Sequence, residues 1–487
     1  HEIDAGLPCL DDRVTGVVAE AGHQDERHVV VEFPQPDEEF VAVHVGQPDV
    51  GDDHVVGLGS AGPHHRRRFR AVAGRFHGAA IPLEQGVCGR PDLVVRVDDD
   101  PSGIGTYSQV GAQFGLRYTW SAPALLPMAA AVQETSARLG LVTGRGLAAL
   151  IRNRFSRTVL VCMVALVAVA NTCNIAADLA AMGSATNVVL PVPAPFLVVV
   201  MTTVMLVLEI FVAYHRYARV LRWLALSLVA YVLVLLAVDV PWREVLHSTF
   251  VPHMAFTGPD IAALIALFGT TVSPYLFFWQ ASEEVEEHGE HLGEPLDHVH
   301  VTAMRVDVLG GMGSGVFVMF AIITAAAVTL HRSGLHDIQT AAEAARALRP
   351  IAGDFAGLLF AVGIVGLGLL AVPVLAGSTA YALAEAFGWH EGLSRTFREA
   401  RGFYLVIVAS MVGGLLIDAL GVDPIRGLFL AAVLNGLAAP PLIVVMIVLG
   451  RDRTLMGSFR SGPLSTVVLT LTVVLSGLLP VLWFAAR

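Results

Sequence analysis

Long apolar segments constrain this chain more than any other feature of its sequence. Hydrophobic residues make up 55% of its 487 residues. From about residue 93 onward they gather into runs of roughly 20 or more residues, which is long enough to cross a bilayer. Only helices and closed barrels satisfy every backbone hydrogen bond there. The sequence therefore predicts an all-α polytopic membrane protein. Nucleic acid is not expected as a partner because no basic face stands out.

The apolar runs divide into eleven predicted membrane spans. Their approximate bounds are 93–116, 119–138, 158–182, 189–213, 220–240, 259–282, 308–330, 356–385, 403–420, 427–449 and 464–485. Residues 1–92 lack helical periodicity, and we interpret them as an atypical, poorly ordered amino-terminal extension. The alternative is a metal-handling domain whose ligands are His23, His28, His64 and His65. The chain thus divides into an extension and an eleven-span domain, 93–487.

Two of the spans are interrupted by polar residues and proline. The segment Asp98–Gly103 breaks span 1, and the segment Thr270–Tyr275 breaks span 6. Such breaks are tolerated only where they are buried in protein or line a watery cavity, as at the binding site of a transporter. Five spans separate the starts of these two broken spans, so the first ten spans divide into two halves of five. The halves 93–240 and 259–449 must then insert with opposite orientations, which predicts a LeuT-type 5+5 inverted repeat plus an extra span at 464–485.

The residues at the two breaks predict a cation site. Asp100 is the leading ligand, because a hard divalent cation prefers carboxylate and carbonyl oxygens. Thr270 could add its carbonyl and Ser273 its hydroxyl. Asn435, in an otherwise apolar span, could complete the coordination shell. The structural alternatives are a helix cap for Asp100, a hydroxyl bonded back to its own helix for Ser273, and an amide bonded between helices for Asn435.

Three further carboxylates are candidates for supporting roles. Asp178 lies within span 3, where an ionisable side chain needs a partner or a proton. Asp98 and Asp99 are predicted to face a vestibule and to attract cations without binding them tightly. The acidic segment 283–287, with histidines after it, either concentrates metal at the cytoplasmic mouth or is a solvated helix end.

Arginine counts predict the orientation of the spans. The loops after even-numbered spans hold 15 arginines, and those after odd-numbered spans hold about six. Positive residues favour the cytoplasmic side. The amino terminus is therefore predicted to be cytoplasmic and the carboxyl terminus outside, in a plasma membrane of bacterial type.

Several short motifs resemble those of the Nramp divalent-metal transporters. The segment Asp100–Ser108 is similar to their first-helix motif, usually Asp-Pro-Gly-Asn, and Thr270–Tyr275 is similar to their sixth-helix motif, usually Ala-x-x-Met-Pro-His. Asp178–Ala180 resembles the third-helix Asp-Leu-Ala-Glu, and Leu455–Gly457 fits the loop after span 10. The resemblance covers about 91–487. It implies a secondary transporter that imports divalent metal cations by alternating access, with Mn²⁺ or Fe²⁺ as the family default.

The departures from the family motifs bear on the ion and on proton coupling. Ser273 replaces a methionine thioether, and Gly103 replaces an asparagine at the metal site, so an oxygen-rich and wetter site that favours Mg²⁺ is expected. This chemistry resembles that of the magnesium-transporting branch of the family. Tyr275 replaces a histidine and Ala181 a glutamate implicated in proton movement. Asp178 and Tyr275 remain as proton candidates, and we expect weak or absent coupling.

Other functions stay open at this level. An amino-acid or organic-cation symporter of the same fold is the main alternative, although an Asp at the break would repel a substrate carboxylate. A membrane-embedded enzyme would need a motif such as HExxH, which the sequence lacks. A further possibility is that the first ninety residues replace a proper first half-helix and abolish transport. No enzyme activity and no cofactor beyond the transported cation are expected. The expected partners are the metal ion and the lipid bilayer, and a monomer is compatible with the sequence.

Overall fold

The computed structural model describes residues 101–211, 226–289, 298–393, 395–421 and 423–485, with residues 226 and 287–289 as backbone only. It also describes the backbone of three strands near the amino terminus. The chain divides into two compact units, His1–Asp92 and Leu93–Arg487. The predicted ligands His23, His64 and His65 lie outside the described residues.

The strands of the first unit form one antiparallel sheet in the order β1-β2-β3. They are β1 (Val17–Ala21), β2 (Arg27–Val31) and β3 (Val41–Val45). The register pairs Val17 with Val31 and His28 with His44. Of the four histidines proposed as ligands, His28 is therefore the one placed on a described strand.

The described part of the second unit is helical. Its α-helices are α1 (Pro101–Phe114), α2 (Ser121–Thr143), α3 (Leu147–Arg154), α4 (Arg157–Val189), α5 (Ala194–Phe211), α6 (Val229–Ala237), α7 (Trp242–Phe250), α8 (Gly258–Thr271), α9 (Pro274–Gly289), α10 (His298–Thr329), α11 (Ala341–Ala345), α12 (Arg349–Ala352), α13 (Ala356–Phe387), α14 (Arg401–Asp418), α15 (Pro424–Arg451), α16 (Arg453–Met456) and α17 (Pro463–Ala485). Short 3₁₀ turns occupy Gly115–Tyr118, Leu226–Leu228, His331–Ser333, Arg346–Leu348, Gly353–Phe355 and Gly457–Phe459.

Eight helical segments among the described residues are long and apolar enough to cross a membrane. They contain α4, α5, α8 with α9, α10, α13, α14, α15 and α17. The three other predicted spans coincide with α1, α2 and the helical residues 226–237. Each predicted span therefore has a helical counterpart within the described residues, with ends that differ by up to ten residues, as at the start of span 7, predicted at 308 and found at His298.

One boundary difference, at the end of span 2, concerns a charged residue. Helix α2 continues beyond the predicted end at 138, and Arg138 is 1% exposed. Its guanidinium pairs with Glu134 at 2.9 Å and donates to the carbonyl of Phe459. Arg138, at the predicted boundary of span 2, is one of the 15 arginines counted above for the loops after even-numbered spans, but it is a buried structural residue that joins α2 to the segment before α17.

The predicted break in span 6 is present. Helix α8 ends at Thr271, Val272 and Ser273 are not helical, and α9 begins at Pro274. Proline lacks the N–H that would continue the α8 ladder, and it disfavours helical geometry in the residue before it. Helix α1 likewise begins with Pro101, at the first helical position that proline prefers. The residues of span 1 that precede this proline lie outside the described residues.

Close backbone contacts bring the two broken spans against span 10. A Cβ added to Gly269 of α8 would lie 1.9 Å from the carbonyl oxygen of Ala432 and 2.3 Å from the amide nitrogen of Gly436, both on α15. A Cβ added to Gly105 of α1 would lie 2.7 Å from a methyl group of Leu428, also on α15. Helices α1 and α8 therefore both pack on α15, the helix that carries Asn435.

The contacts of the two half-helices also repeat between the halves of the domain. In α1, a Cβ at Gly111 would lie 2.4 Å from the carbonyl oxygen of Ile323 in α10, which is span 7. At the other break, a Cβ at Gly140 in α2, which is span 2, would lie 2.1 Å from the carbonyl oxygen of Ala281 in α9. Span 1 thus packs on span 7, and span 6 packs on span 2. Because an inverted repeat relates span 1 to span 6 and span 2 to span 7, these two contacts are equivalent, as the repeat requires.

Candidate metal site

Ser273 lies at the break in span 6 and is 1% exposed. Its Oγ lies 2.8 Å from the carbonyl oxygen of Gly269 and 2.9 Å from that of Thr270, and these two acceptors share its one proton. This is the bonding back to its own helix that the sequence left open as an alternative to ligation. A hydroxyl that donates its proton keeps its lone pairs. Ser273 can therefore hold the end of α8 and still present an oxygen to a cation.

Thr270 is buried one turn before the break. Its carbonyl oxygen accepts the Ser273 hydroxyl, and its own Oγ1 has no hydrogen-bond partner among the described residues. A carbonyl oxygen carries two lone pairs, so the bond from Ser273 leaves one available. Both oxygens of Thr270 thus lie at the break and can still accept a hydrogen bond or bind a cation.

Asn435 is fully buried in α15, beside the glycine that contacts the backbone of α8. Neither Oδ1 nor Nδ2 has a hydrogen-bond partner among the described residues. The predicted alternative, an amide bonded between helices, is not formed there. A buried amide without partners costs on the order of 1–3 kcal/mol, so the site favours a ligand or water that supplies them.

The acidic part of the predicted site precedes α1. Asp98, Asp99 and Asp100 lie outside the described residues, and Gly103 is a buried residue of the first turn of α1. Thr106, one turn further along, is fully buried, and its hydroxyl has no partner among the described residues. The sequence analysis did not single out Thr106, because threonine is common in membrane helices and carries no specific signal.

Asp178 is fully buried in the middle of α4. Two asparagines precede it on the same helix. Asn171 donates to the carbonyl of Leu375 at 3.1 Å and thereby ties α4 to α13. Asn174, one turn before Asp178, is fully buried, and its amide has no partner among the described residues. Sequence reasoning missed Asn174, although two asparagines and an aspartate at helical spacing in an apolar run are a readable signal.

Tyr275 follows Pro274 in the first turn of α9 and is buried. Its backbone carbonyl accepts a hydrogen bond of 2.7 Å from the hydroxyl of Ser378 on α13. The start of α9 is therefore fastened to span 8 directly after the break. A phenol at this position is a poor proton carrier at neutral pH, because its ordinary pKa is near 10.

A polar cavity of about 520 Å³ lies at the far end of α1. It is lined by Gln109 and Gln113 of α1, by Asp337 and its neighbours, and by the start of α15, including Asp423. Its polar lining holds the two carboxylates, three glutamine amides including Gln339, and the guanidinium of Arg426, so one net negative charge remains to attract cations. The vestibule role predicted for Asp98 and Asp99 lies outside the described residues and stays a prediction. The sequence analysis missed Gln109, Gln113, Asp337 and Asp423, because three separate segments contribute them.

The acidic segment 283–287, at the end of α9, takes part in the structure. Glu286 accepts hydrogen bonds from the hydroxyl of Tyr381 and from the amide of Leu393. Nearby, burial and then the adjacent charge of Glu385 raise the pKa of Glu391 to about 8. Among the described residues, no three His, Cys, Asp or Glu side chains are placed to hold a metal ion. At least one acid of this segment therefore fastens α9 to span 8 and the segment after it.

Comparison with known proteins gives a family match over most of the chain. The family model for "Natural resistance-associated macrophage protein-like" proteins, Nramp, matches residues 93–486. The divalent metal cation transporter MntH of Acidiphilium cryptum is 28% identical over 410 residues, covering 80% of this chain and 88% of that protein. The MntH protein of Deinococcus radiodurans is 27% identical over 385 residues, covering 76% and 82%.

A solved structure agrees with the fold. A crystal structure of a mutant of the Eremococcus coleocola manganese transporter matches with a TM-score of 0.63 and 17% identity, covering 80% of this chain and 83% of that one. At this identity the likeness concerns the fold alone. Together with the helices described above, it confirms the predicted all-α polytopic membrane fold with the LeuT-type repeat. The resemblance in the sequence motifs is confirmed as well.

Proposed function

Because the chain belongs to the Nramp family, we propose that it is a secondary transporter that moves divalent metal cations across the membrane by alternating access. The observation that carries this proposal is the break between α8 and α9. Oxygens of Thr270 and Ser273 lie there and can still bind a cation. Helix α8 packs backbone to backbone on the helix that holds Asn435, whose amide has no hydrogen-bond partner in the described part of the chain. The curated relatives are named as divalent metal cation transporters, and we propose no enzymatic reaction.

In this proposal Asp100 supplies the charge that attracts the cation. The carbonyl of Thr270, the hydroxyl of Ser273 and the amide oxygen of Asn435 supply neutral oxygens around it, and Gly103 leaves room where the family has an asparagine. Oxygen ligands and retained water suit a hard cation. We therefore propose that Mg²⁺ is accepted together with Mn²⁺ or Fe²⁺.

We also propose that the amino terminus is cytoplasmic and the carboxyl terminus outside. Removing the buried Arg138 from the arginine count leaves the bias toward the loops after even-numbered spans intact. The loop that contains α3 then faces the cytoplasm, and the vestibule at Gln109 opens to the outside. Cations would enter through this vestibule and leave past the acidic end of α9.

Uptake into proteoliposomes tests the transport proposal. Vesicles that contain the purified protein are expected to accumulate Mn²⁺ with time, with Mg²⁺ competing, whereas protein-free vesicles should not. The signal is the metal retained after external metal is removed by a chelator. Accumulation of an amino acid or organic cation, with no uptake of Mn²⁺, Fe²⁺ or Mg²⁺, would instead support a symporter of the same fold.

Metal entry is expected to proceed without metal-driven proton entry. In the family, a histidine and a glutamate linked to proton movement occupy the positions of Tyr275 and Ala181. Of these three positions, only Asp178 keeps the family residue. A pH-sensitive dye inside the same vesicles should report equal acidification with and without Mn²⁺ outside. The variant Asp178→Asn should leave that acidification unchanged. Acidification that rises with the Mn²⁺ gradient and disappears in Asp178→Asn would contradict weak coupling.

A further inference from the structure

The two half-helices that follow the breaks carry hydrogen-bonding residues at matching positions. Helix α1 begins with Pro101 and helix α9 with Pro274, and the eighth residue after each proline is Gln109 and Ser282 respectively. Because the inverted repeat relates span 1 to span 6, these two residues are structural counterparts at opposite ends of the domain. Both are buried and both bond to another part of the chain.

Gln109 fastens α1 to the loop between spans 7 and 8. It is 9% exposed, and both ends of its amide are used. Nε2 donates to Asp337 Oδ1 at 3.3 Å, and Oε1 accepts from the backbone amide of Ile338 at 2.9 Å. The same side chain lines the 520 Å³ vestibule. Releasing Gln109 would therefore separate α1 from this loop at the wall of the vestibule.

Ser282 fastens α9 to Glu385 of span 8, and Glu385 in turn contacts the loop between spans 2 and 3. Its Oγ donates to Glu385 Oε1 at 2.8 Å and lies 2.9 Å from the carbonyl of Phe278 in its own helix. Glu385 is 3% exposed, and its Oε2 accepts from the backbone amide of Ala149 at 3.0 Å, in the first turn of α3. A carboxylate at a helix amino terminus is stabilised by the helix dipole.

The glycine before α3 allows this contact. A Cβ at Gly146 would lie 1.6 Å from Glu385 Oε1, so no larger residue fits while the carboxylate is in place. Arg152, in the last turn of α3, donates to the backbone carbonyl of Glu385 at 2.6 Å. Helix α3 is thus held at both its ends by one residue of span 8.

We propose that these two clusters are opposing gate latches: Gln109 with Asp337 and Ile338 outside, and Ser282 with Glu385 and α3 inside. The loops they use, between spans 7 and 8 and between spans 2 and 3, are themselves counterparts in the repeat. Each latch holds the second half of a broken helix against its own end of the domain. Opening one while the other stays closed exposes the region between the breaks to one side only. The inference deepens the proposed alternating access and supplies its gating residues.

A buried reporter cysteine can measure which side is open. Thr106 is fully buried on α1 and shares a helix face with Gln109 and Gln113. In a variant whose four native cysteines are alanine, Thr106→Cys is labelled with a thiol reagent in detergent, in the absence of metal. Adding Gln109→Leu is expected to raise the labelling rate about three- to tenfold, because one or two buried hydrogen bonds are lost. Adding Ser282→Ala should lower the labelling rate by a similar factor, since the protein then favours the state that is open on the inner side and closed at the outer latch.

The decisive outcome is a labelling rate that rises in Gln109→Leu and falls in Ser282→Ala, because a general loss of stability would raise the rate in both variants. Ser476→Ala is the matched control, since it removes a buried hydroxyl from span 11, which lies outside both repeats. It should leave the rate unchanged. If Gln109→Leu does not fold, Asp337→Ala removes one of the two bonds of the same latch from an exposed loop and should raise the rate by a smaller factor. Labelling changes of the same sign, or none, overturn the latches. Opposite shifts in a protein that takes up no metal would overturn the proposed function alone.

Discussion

Asp100→Ala is expected to abolish measurable binding of Mn²⁺ and of Mg²⁺. Every other proposed ligand is neutral: the carbonyl of Thr270, the hydroxyl of Ser273 and the amide of Asn435. Removing one partner of a buried charge pair costs on the order of 3 kcal/mol, which is about 100-fold in affinity. Isothermal titration calorimetry of the purified protein with each ion measures the loss directly.

The neighbouring carboxylates provide the matched controls. Asp98→Ala and Asp99→Ala remove the same charge from the same segment, and because these side chains are predicted to attract cations without ligating them, each should weaken binding only slightly. High salt should reduce their contribution further, since charges in water are screened. Unchanged binding in Asp100→Ala, or an equal loss in all three variants, would show that the charge at the site does not come from Asp100 alone.

The break in span 6 was predictable because its cause is local. Pro274 removes a backbone donor and constrains Ser273 whatever packs around them, so the sequence places the break within the right six residues. The inverted repeat followed from the positions of two such breaks. By contrast, the burial of Arg138 depends on the carbonyl of Phe459, 321 residues away in the chain, which no local pattern encodes, whereas the end of α2 follows a local signal, Gly144 at a φ of 61°.

The gating residues escaped prediction for the same reason. Gln109 is 228 residues from Asp337 in the chain, and Ser282 is 103 residues from Glu385. A lone glutamine or serine in an apolar helix has many ordinary roles, and only the contact identifies one. Ser273 is intermediate: the sequence offered both ligation and bonding to its own helix, and the structure shows the second while leaving the lone pairs for the first.

Exchanging one atom at the break is expected to change which ion the site prefers. Ser273→Cys replaces the hydroxyl with a softer sulfur of similar size, in a position that is 1% exposed and has little room for a longer side chain. Soft ligands favour Mn²⁺ and Cd²⁺ over Mg²⁺. Calorimetry should show the affinity for Mn²⁺ relative to Mg²⁺ rising at least about tenfold, equivalent to about 1.4 kcal/mol.

Ser273→Ala separates the effect of sulfur from the loss of the hydroxyl. Alanine offers neither a ligand nor the hydrogen bonds to the carbonyls of Gly269 and Thr270, so both ions should bind more weakly, with their ratio little changed. Cd²⁺, the softest of the three ions, should gain most in Ser273→Cys and nothing in Ser273→Ala. If the cysteine and alanine variants show the same ratio of Mn²⁺ to Mg²⁺ affinity, residue 273 does not contact the ion. Its hydroxyl would then only close the end of α8, and the acceptance of Mg²⁺ would need another source, of which the missing side chain at Gly103 is the first to test.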